Sequence, residues 1–166
     1  MLPVLCTLLD SKSLRPSINL SLGIAKQVYQ LHEKGMAHLN IQGETILVEP
    51  WSLDVFLDNE GMKNARRIGS PIPEEFIISS SDRDVYAQIP PEYYDERDKE
   101  GHVASAEADL WALGYLFHFT IPVEHMPMYD GKLLTDALRA EDPSQRPPLS
   151  KVIELLEMIQ FACSKN

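Results

Sequence analysis

The side chains with the most evident chemical capacity are scattered along this chain. His102, His118 and His125 carry imidazoles able to ligate a transition metal, but none has a ligand-type partner at helical spacing. Packing or simple exposure accounts for each of them without a metal, and for His118 the expected place is a buried helix. Cys6 and Cys163 lie near opposite ends with no Cys-x-x-Cys pairing, so reduced thiols are expected and a disulfide or zinc site is not. Ser79, Ser80 and Ser81, followed by Asp82, offer hydroxyls for phosphorylation, although a solvated serine run needs no such role.

The bulk properties narrow what such residues can serve. The chain has 166 residues, 44% of them apolar and 24% charged, enough hydrophobic mass for the core of one soluble domain. Its 15 basic and 25 acidic side chains give a formal charge of −10, the wrong sign for neutralising phosphate backbones. Nucleic acid is therefore not an expected partner. No apolar run approaches the ~20 residues that span a bilayer, and Met1-Leu2-Pro3-Val4-Leu5 lacks the basic start of a secretory signal. No membrane association is expected, and the expected location is the cytoplasm or nucleus.

Periodicity supplies the elements. From Ser17 to Lys34 apolar residues recur every three to four positions (Ile18, Leu22, Ala25, Val28, Leu31), which predicts an amphipathic helix opened at Pro16-Ser17 and closed by a left-handed Gly35. Two β-type runs, Thr45 to Glu49 and Leu53 to Leu57, flank Pro50-Trp51-Ser52 and predict a hairpin with an exposed tip. The stretch from about Asp58 to Pro91 has no sustained period and reads as a long, mobile loop. Ser105 to Ile121 is apolar around the whole helical wheel, as expected of a helix at the centre of a core. Shorter helices are expected over Lys132 to Ala140 and from Ser150 to about Ala162. The fold class is mainly α with a small β hairpin.

Several short motifs fall on these elements in a telling order. Leu31-His32-Glu33-Lys34-Gly35-Met36 leads into His38-Leu39-Asn40-Ile41-Gln42-Gly43-Glu44-Thr45, followed by Ile46-Leu47-Val48. Downstream come Pro90-Pro91-Glu92, Ala108-Asp109-Leu110-Trp111-Ala112-Leu113-Gly114 and Asp142-Pro143-Ser144-Gln145-Arg146-Pro147. This order resembles the C-terminal lobe of a eukaryotic protein kinase over nearly the whole chain, as one domain with an activation-segment-like loop at 58–92. The first block lies where a kinase has H-R-D-L-x-x-x-N, and the others resemble A-P-E, D-x-W-x-x-G and D-P-x-x-R-P. The resemblance implies a carboxylate–guanidinium pair between Glu92 and Arg146 tying the segment to the lobe. It implies an Asp109 that steadies the loop from the start of the buried helix, with Trp111 and Gly114 in the same motif. It also implies a His38 that packs and hydrogen-bonds without doing chemistry.

The resemblance equally implies a damaged reaction centre. A kinase loop needs a carboxylate for the substrate hydroxyl proton and an amide to hold magnesium. Those positions read Asn40 and Thr45, and an amide carries no proton-accepting charge. The loop lysine is replaced by Gln42 and the arginine after the histidine by Leu39. For the metal-binding D-F-G two alignments stand. One places Asp58-Asn59-Glu60 there and keeps a metal-ligating Asp58. The other makes Phe56 to Gly61 the hairpin turn and puts Arg67-Ile68-Gly69 at the motif. No Gly-rich loop or strand lysine precedes Ser11, so the upper lobe is expected to be absent, and the short stretch from Asp109 to Arg146 leaves little room for a substrate-docking helix.

The expectation is a pseudokinase-like C-terminal lobe, catalytically inactive and without cofactor, working as a binding or regulatory module. The alternative is a piece of a divergent Ser/Thr-type protein kinase, using ATP and Mg, whose upper lobe is missing from this chain. A lobe without its upper half would expose apolar side chains near Met1 to Leu9 and the loop, so a partner is expected: another protein, a kinase upper lobe, or a second copy of this chain.

Overall fold

Helix α1, Leu14–Glu33, is the axis on which the rest is assembled. The computed structural model describes residues 14–94, 101–121 and 131–164. Cys6, His125 and the segment Met1 to Leu9 lie outside these residues. The helix begins earlier than the Pro16-Ser17 signal predicts, because a proline in the first turn loses no intrahelical hydrogen bond and is tolerated there. Gly35, at φ +72°, closes it in the left-handed conformation.

Among the described residues, four short strands form two antiparallel pairs. β1 (Met36–Ala37) pairs with β4 (Arg66–Arg67), and β2 (Ile46–Val48) pairs with β3 (Val55–Leu57) in the register Ile46↔Leu57, Leu47↔Phe56, Val48↔Val55. The expected hairpin is therefore present with shorter strands, and Trp51 at its tip is 92% exposed. This register excludes the alignment that made Phe56 to Gly61 the hairpin turn, since Phe56 and Leu57 are paired strand residues. A four-residue helix, α2 (Asn59–Met62), separates β3 from β4.

Helix α3, Ala106–Thr120, carries the centre of the core, with Leu113 and Phe117 fully buried. Ser105 caps it, its side chain accepting the Ala108 N–H at 3.1 Å. Its last turn departs from expectation. His118 and Phe119 are exposed because they lie on the outward face of the last turn, while Phe117, Thr120 and Ile121 on its inner face stay buried. Helix α4 (Gly131–Leu138) lies against α3 so closely that a Cβ on Gly114 would stand 2.8 Å from Leu138 Cβ and 2.8 Å from Arg139 Cγ. Only glycine allows that approach. Helix α5 (Leu149–Cys163) packs along α1 and buries Val152, Leu156 and Ile159.

The two helix faces, the β2–β3 hairpin and the buried sides of α3, α4 and α5 share one apolar cluster. A second, smaller cluster of Ala37, Ile72, Tyr93, Ala104 and Ala108 lies beneath the 58–92 segment. That segment is not the featureless loop its lack of period predicts. It holds α2, β4 and three single 3₁₀ turns, and bridges at Pro71↔Val103 and Ile78↔Tyr94 tie it down. Its anchors are isolated hydrogen bonds, which leave no periodic trace in a sequence.

Candidate functional site

The loop between β1 and β2 is held from below by one carboxylate. Asp109, in the first turn of α3, has no solvent exposure and accepts three hydrogen bonds. The His38 N–H reaches Oδ2 at 2.7 Å, the Leu39 N–H reaches Oδ1 at 2.8 Å, and His32 Nε2 donates to Oδ2 at 2.9 Å. These bonds hold Leu39 at φ +62°, a left-handed conformation that costs a leucine roughly 1–2 kcal/mol. The loop is thus bent against its own preference by Asp109, and His32 on α1 is a third donor that the motif did not reveal.

His38 is fully buried. Its Nδ1 accepts the Asn40 N–H at 3.3 Å, which places the ring proton on Nε2, and Nε2 is buried without a hydrogen-bond partner. Burial holds the imidazole pKa below its ordinary 6.5, and the nearby Asp109 charge opposes this with smaller effect. The sign of the stability linkage follows. Below about pH 6.5 the unfolded chain takes up a proton that folded His38 refuses, so its contribution is full above that pH and lost as the pH falls. Unfolding free energies from urea titration should therefore be level above about pH 6.5 and fall below it, by up to ~1.4 kcal/mol per pH unit, and His38→Leu should flatten that dependence. An unchanged slope in His38→Leu would refute the assignment.

The remaining loop positions are turned inward or left bare. Thr45 is buried, and its Oγ1 donates to the Asn40 carbonyl at 2.7 Å, with the Gln42 carbonyl 3.0 Å away and the Gln42 N–H at 3.3 Å. The hydroxyl is a staple within the loop. Asn40 lines a cleft of about 210 Å³ under the 58–92 segment, among Leu39, Phe76, Tyr86, Ile89 and Tyr93. Asp58 follows β3 directly, and its N–H donates to the Thr45 carbonyl at 2.9 Å. It precedes α2 without a side-chain capping bond. A two-ligand magnesium site does not fit this donor set, because one carboxylate is present and the Thr45 hydroxyl is spent on backbone. No group of three or more His, Cys, Asp or Glu able to hold a metal occurs among the described residues.

The far anchor is Arg146, whose side chain is fully buried. Nη1 donates to Glu92 Oε1 at 2.6 Å and Nη2 to Glu92 Oε2 at 2.8 Å, a bidentate pair. Nη1 also reaches the Glu107 carbonyl at 2.7 Å, and Nε reaches the Ala140 carbonyl at 3.0 Å. Trp111 lies beneath it, with the Arg146 guanidinium 5.2 Å from the ring and that of Arg139 at 5.0 Å. The indole N–H donates to the Ala87 carbonyl at 2.9 Å, another tie on the segment. Arg139 and these carbonyl partners gave no sequence signal, since backbone acceptors are anonymous in a sequence.

The two candidate histidines among the described residues, His102 and His118, have plain occupations. His102 Nδ1 donates to the Glu92 carbonyl at 2.8 Å, and its ring meets Tyr93 edge to face. Burial raises the Tyr93 phenol pKa, and its hydroxyl donates to the Val103 carbonyl at 3.0 Å. His118 packs against the Phe119 ring at the surface. Ser79 accepts from Ser81 at a 3₁₀ turn, and Cys163 is a free thiol. No helix among the described residues is long and apolar enough to cross a membrane. Neither the models of known protein families nor the curated protein sequences give a match to this chain.

Proposed function

We propose that this chain is a kinase-like C-terminal lobe without phosphotransfer chemistry, acting as a binding or regulatory module for another protein. One contrast carries the reading. The supports that the resemblance names are complete in their bonding: Asp109 holds the loop through three donors, and Arg146 meets Glu92 in a bidentate pair. The positions that would handle phosphate hold an amide at Asn40 and a hydroxyl at Thr45 that is turned into the loop. A loop selected for chemistry keeps the acid and the metal ligand, whereas a loop selected as a scaffold needs only its bend. Cytoplasm or nucleus remains the expected setting.

Asp58, set directly after β3, favours a second reading, in which the chain is part of a divergent protein kinase that takes its upper lobe from elsewhere. A thermal-shift titration with ATP and Mg separates the two. A ligand at a hundredfold excess over its Kd adds ~2.7 kcal/mol, or roughly 5–10 °C for a domain of this size. The scaffold reading expects no shift at millimolar nucleotide. A shift of that size, with phosphate transfer abolished by Asn40→Ala or Asp58→Asn, would overturn it in favour of the enzyme.

A further inference from the structure

The ring of His38 sits in a place that accepts only its neutral form. The residue has no exposure, and its buried Nε2 has no hydrogen-bond partner. Nδ1 spends its lone pair on the Asn40 N–H at 3.3 Å. The Cε1 edge is closed by α2, where a Cβ on Gly61 would stand 3.1 Å from Cε1. A proton added to this ring goes to Nδ1, where one N–H would then face another, and the cation would find no acceptor at Nε2. Burial disfavours the cation, and the Asp109 carboxylate on α3 offsets this only in part. From α1 the titratable neighbour is His32, which reaches the same carboxylate. Among the described residues no other charge acts on the ring.

The turn beside the ring is held rather than preferred. Leu39 stands at φ +62°, and the bonds that keep it there run from the His38 and Leu39 amides to Asp109 and from the Asn40 amide to the ring itself. Leu39 and Asn40 also line the cleft under the 58–92 segment. We propose that His38, Leu39 and Asn40 form an acid-operated switch: protonation of the imidazole at Nδ1 breaks the Asn40 bond, and the left-handed turn swings away from the cleft while the helical core stays folded.

The turn can open by itself for two reasons. The left-handed leucine relaxes as soon as its bonds let go. None of the three residues belongs to the large apolar cluster, so helix packing is untouched by their release. Any opening that solvates the ring gains about tenfold in population per pH unit below about 6.5, because the open ring takes up a proton that the closed ring refuses. His32 works in the opposite sense, since a protonated His32 is a stronger donor to Asp109 and tightens the turn. The switch rests on the surroundings of His38 and is independent of the kinase-like reading.

Native-state hydrogen exchange, read by NMR on the intact chain at about pH 7.5, 6.5 and 5.5 with a low-urea series at each, tests it. The Leu39 and Asn40 amides should exchange through an opening that urea barely promotes, with lower protection than Ile24 and Val28 inside α1. Their protection factors should fall about tenfold between pH 6.5 and 5.5, and much less between 7.5 and 6.5. His38→Leu should abolish the fall, read at Leu39, whose own acceptor is Asp109. His32→Gln, which keeps a donor for Asp109 but does not titrate, should retain it. Leu39 and Asn40 amides that share the protection and urea dependence of Ile24 and Val28 would overturn the proposal, because the turn would then open only with the whole lobe. Protection that is level with pH in the wild type overturns it too, and these two outcomes need no variant to fold. A fall that persists in His38→Leu, or that vanishes in His32→Gln, assigns the response to another group and is equally fatal.

Discussion

Asp109→Ala should destabilise the chain by about 3–5 kcal/mol, close to the whole stability margin of many single domains. Three donors lose their acceptor at once: the His38 and Leu39 amides and the His32 ring. The carboxylate has no solvent exposure, and His38 is equally buried, so water replaces the lost bonds poorly. An unsatisfied buried donor costs ~1–3 kcal/mol, which makes the estimate for three conservative. Alanine's better helix propensity returns at most ~0.7 kcal/mol. Release of the left-handed Leu39 returns roughly another 1–2 kcal/mol, but only by letting the loop go. Asp109→Asn keeps the shape and should fall between. Its oxygen can serve the two donors at Oδ2, which leaves the amide NH₂ facing the Leu39 N–H. Urea midpoints with unchanged m-values measure the loss, and amide exchange at His38 and Leu39 should accelerate before that of the α1 core. An Asp109→Asn variant within ~0.5 kcal/mol of wild type would show that the carboxylate is not what holds the loop.

That dependence on one residue also shows where the sequence was readable. Helices α1 and α5 were legible because burial imposes a period of three to four residues, α3 because it is apolar around the whole wheel, and the hairpin because β-type runs flank a turn-forming Pro50-Trp51-Ser52. Asp109, Glu92 and Arg146 could be singled out because their motifs fall on those elements in order. The partners they use were not legible. His32 looks like any histidine near a helix end, and the carbonyls of Ala87, Glu107 and Ala140 belong to the backbone, which carries no residue identity. The two-residue strands β1 and β4 are too short to show alternation. The exposure of His118 and Phe119 was hidden for the opposite reason. The last turn of α3 is apolar on both its faces, so composition alone cannot mark that His118 and Phe119 face outward while Thr120 and Ile121 stay buried.

The pair at Arg146 should respond asymmetrically to removal of its two halves. Arg146→Ala takes away four hydrogen bonds, two from Glu92 and one each from the carbonyls of Glu107 and Ala140, together with packing on Trp111. Glu92→Ala takes away only the two carboxylate bonds, and the guanidinium keeps its backbone acceptors. Breaking a buried pair costs about 3–5 kcal/mol because the survivor is stranded. Which survivor is stranded decides where each variant falls. Arg146 has a side chain with no exposure, so the loss of Glu92 leaves a buried cation. Glu92 is 22% exposed, so the loss of Arg146 leaves a carboxylate that water can reach, but also two orphaned carbonyls and a gap over the Trp111 ring. The arginine variant should therefore lose about 4–5 kcal/mol and the glutamate variant about 3 kcal/mol. Arg146→Lys should rescue little, because an ammonium cannot make the paired bonds of the planar fork and reach Ala140 as well. A double-mutant cycle on Glu92→Ala and Arg146→Ala should give a coupling of roughly 1.5–3 kcal/mol. Coupling below ~0.5 kcal/mol would mean that the 58–92 segment is held by Trp111 and the apolar cluster beneath it, with the ion pair incidental.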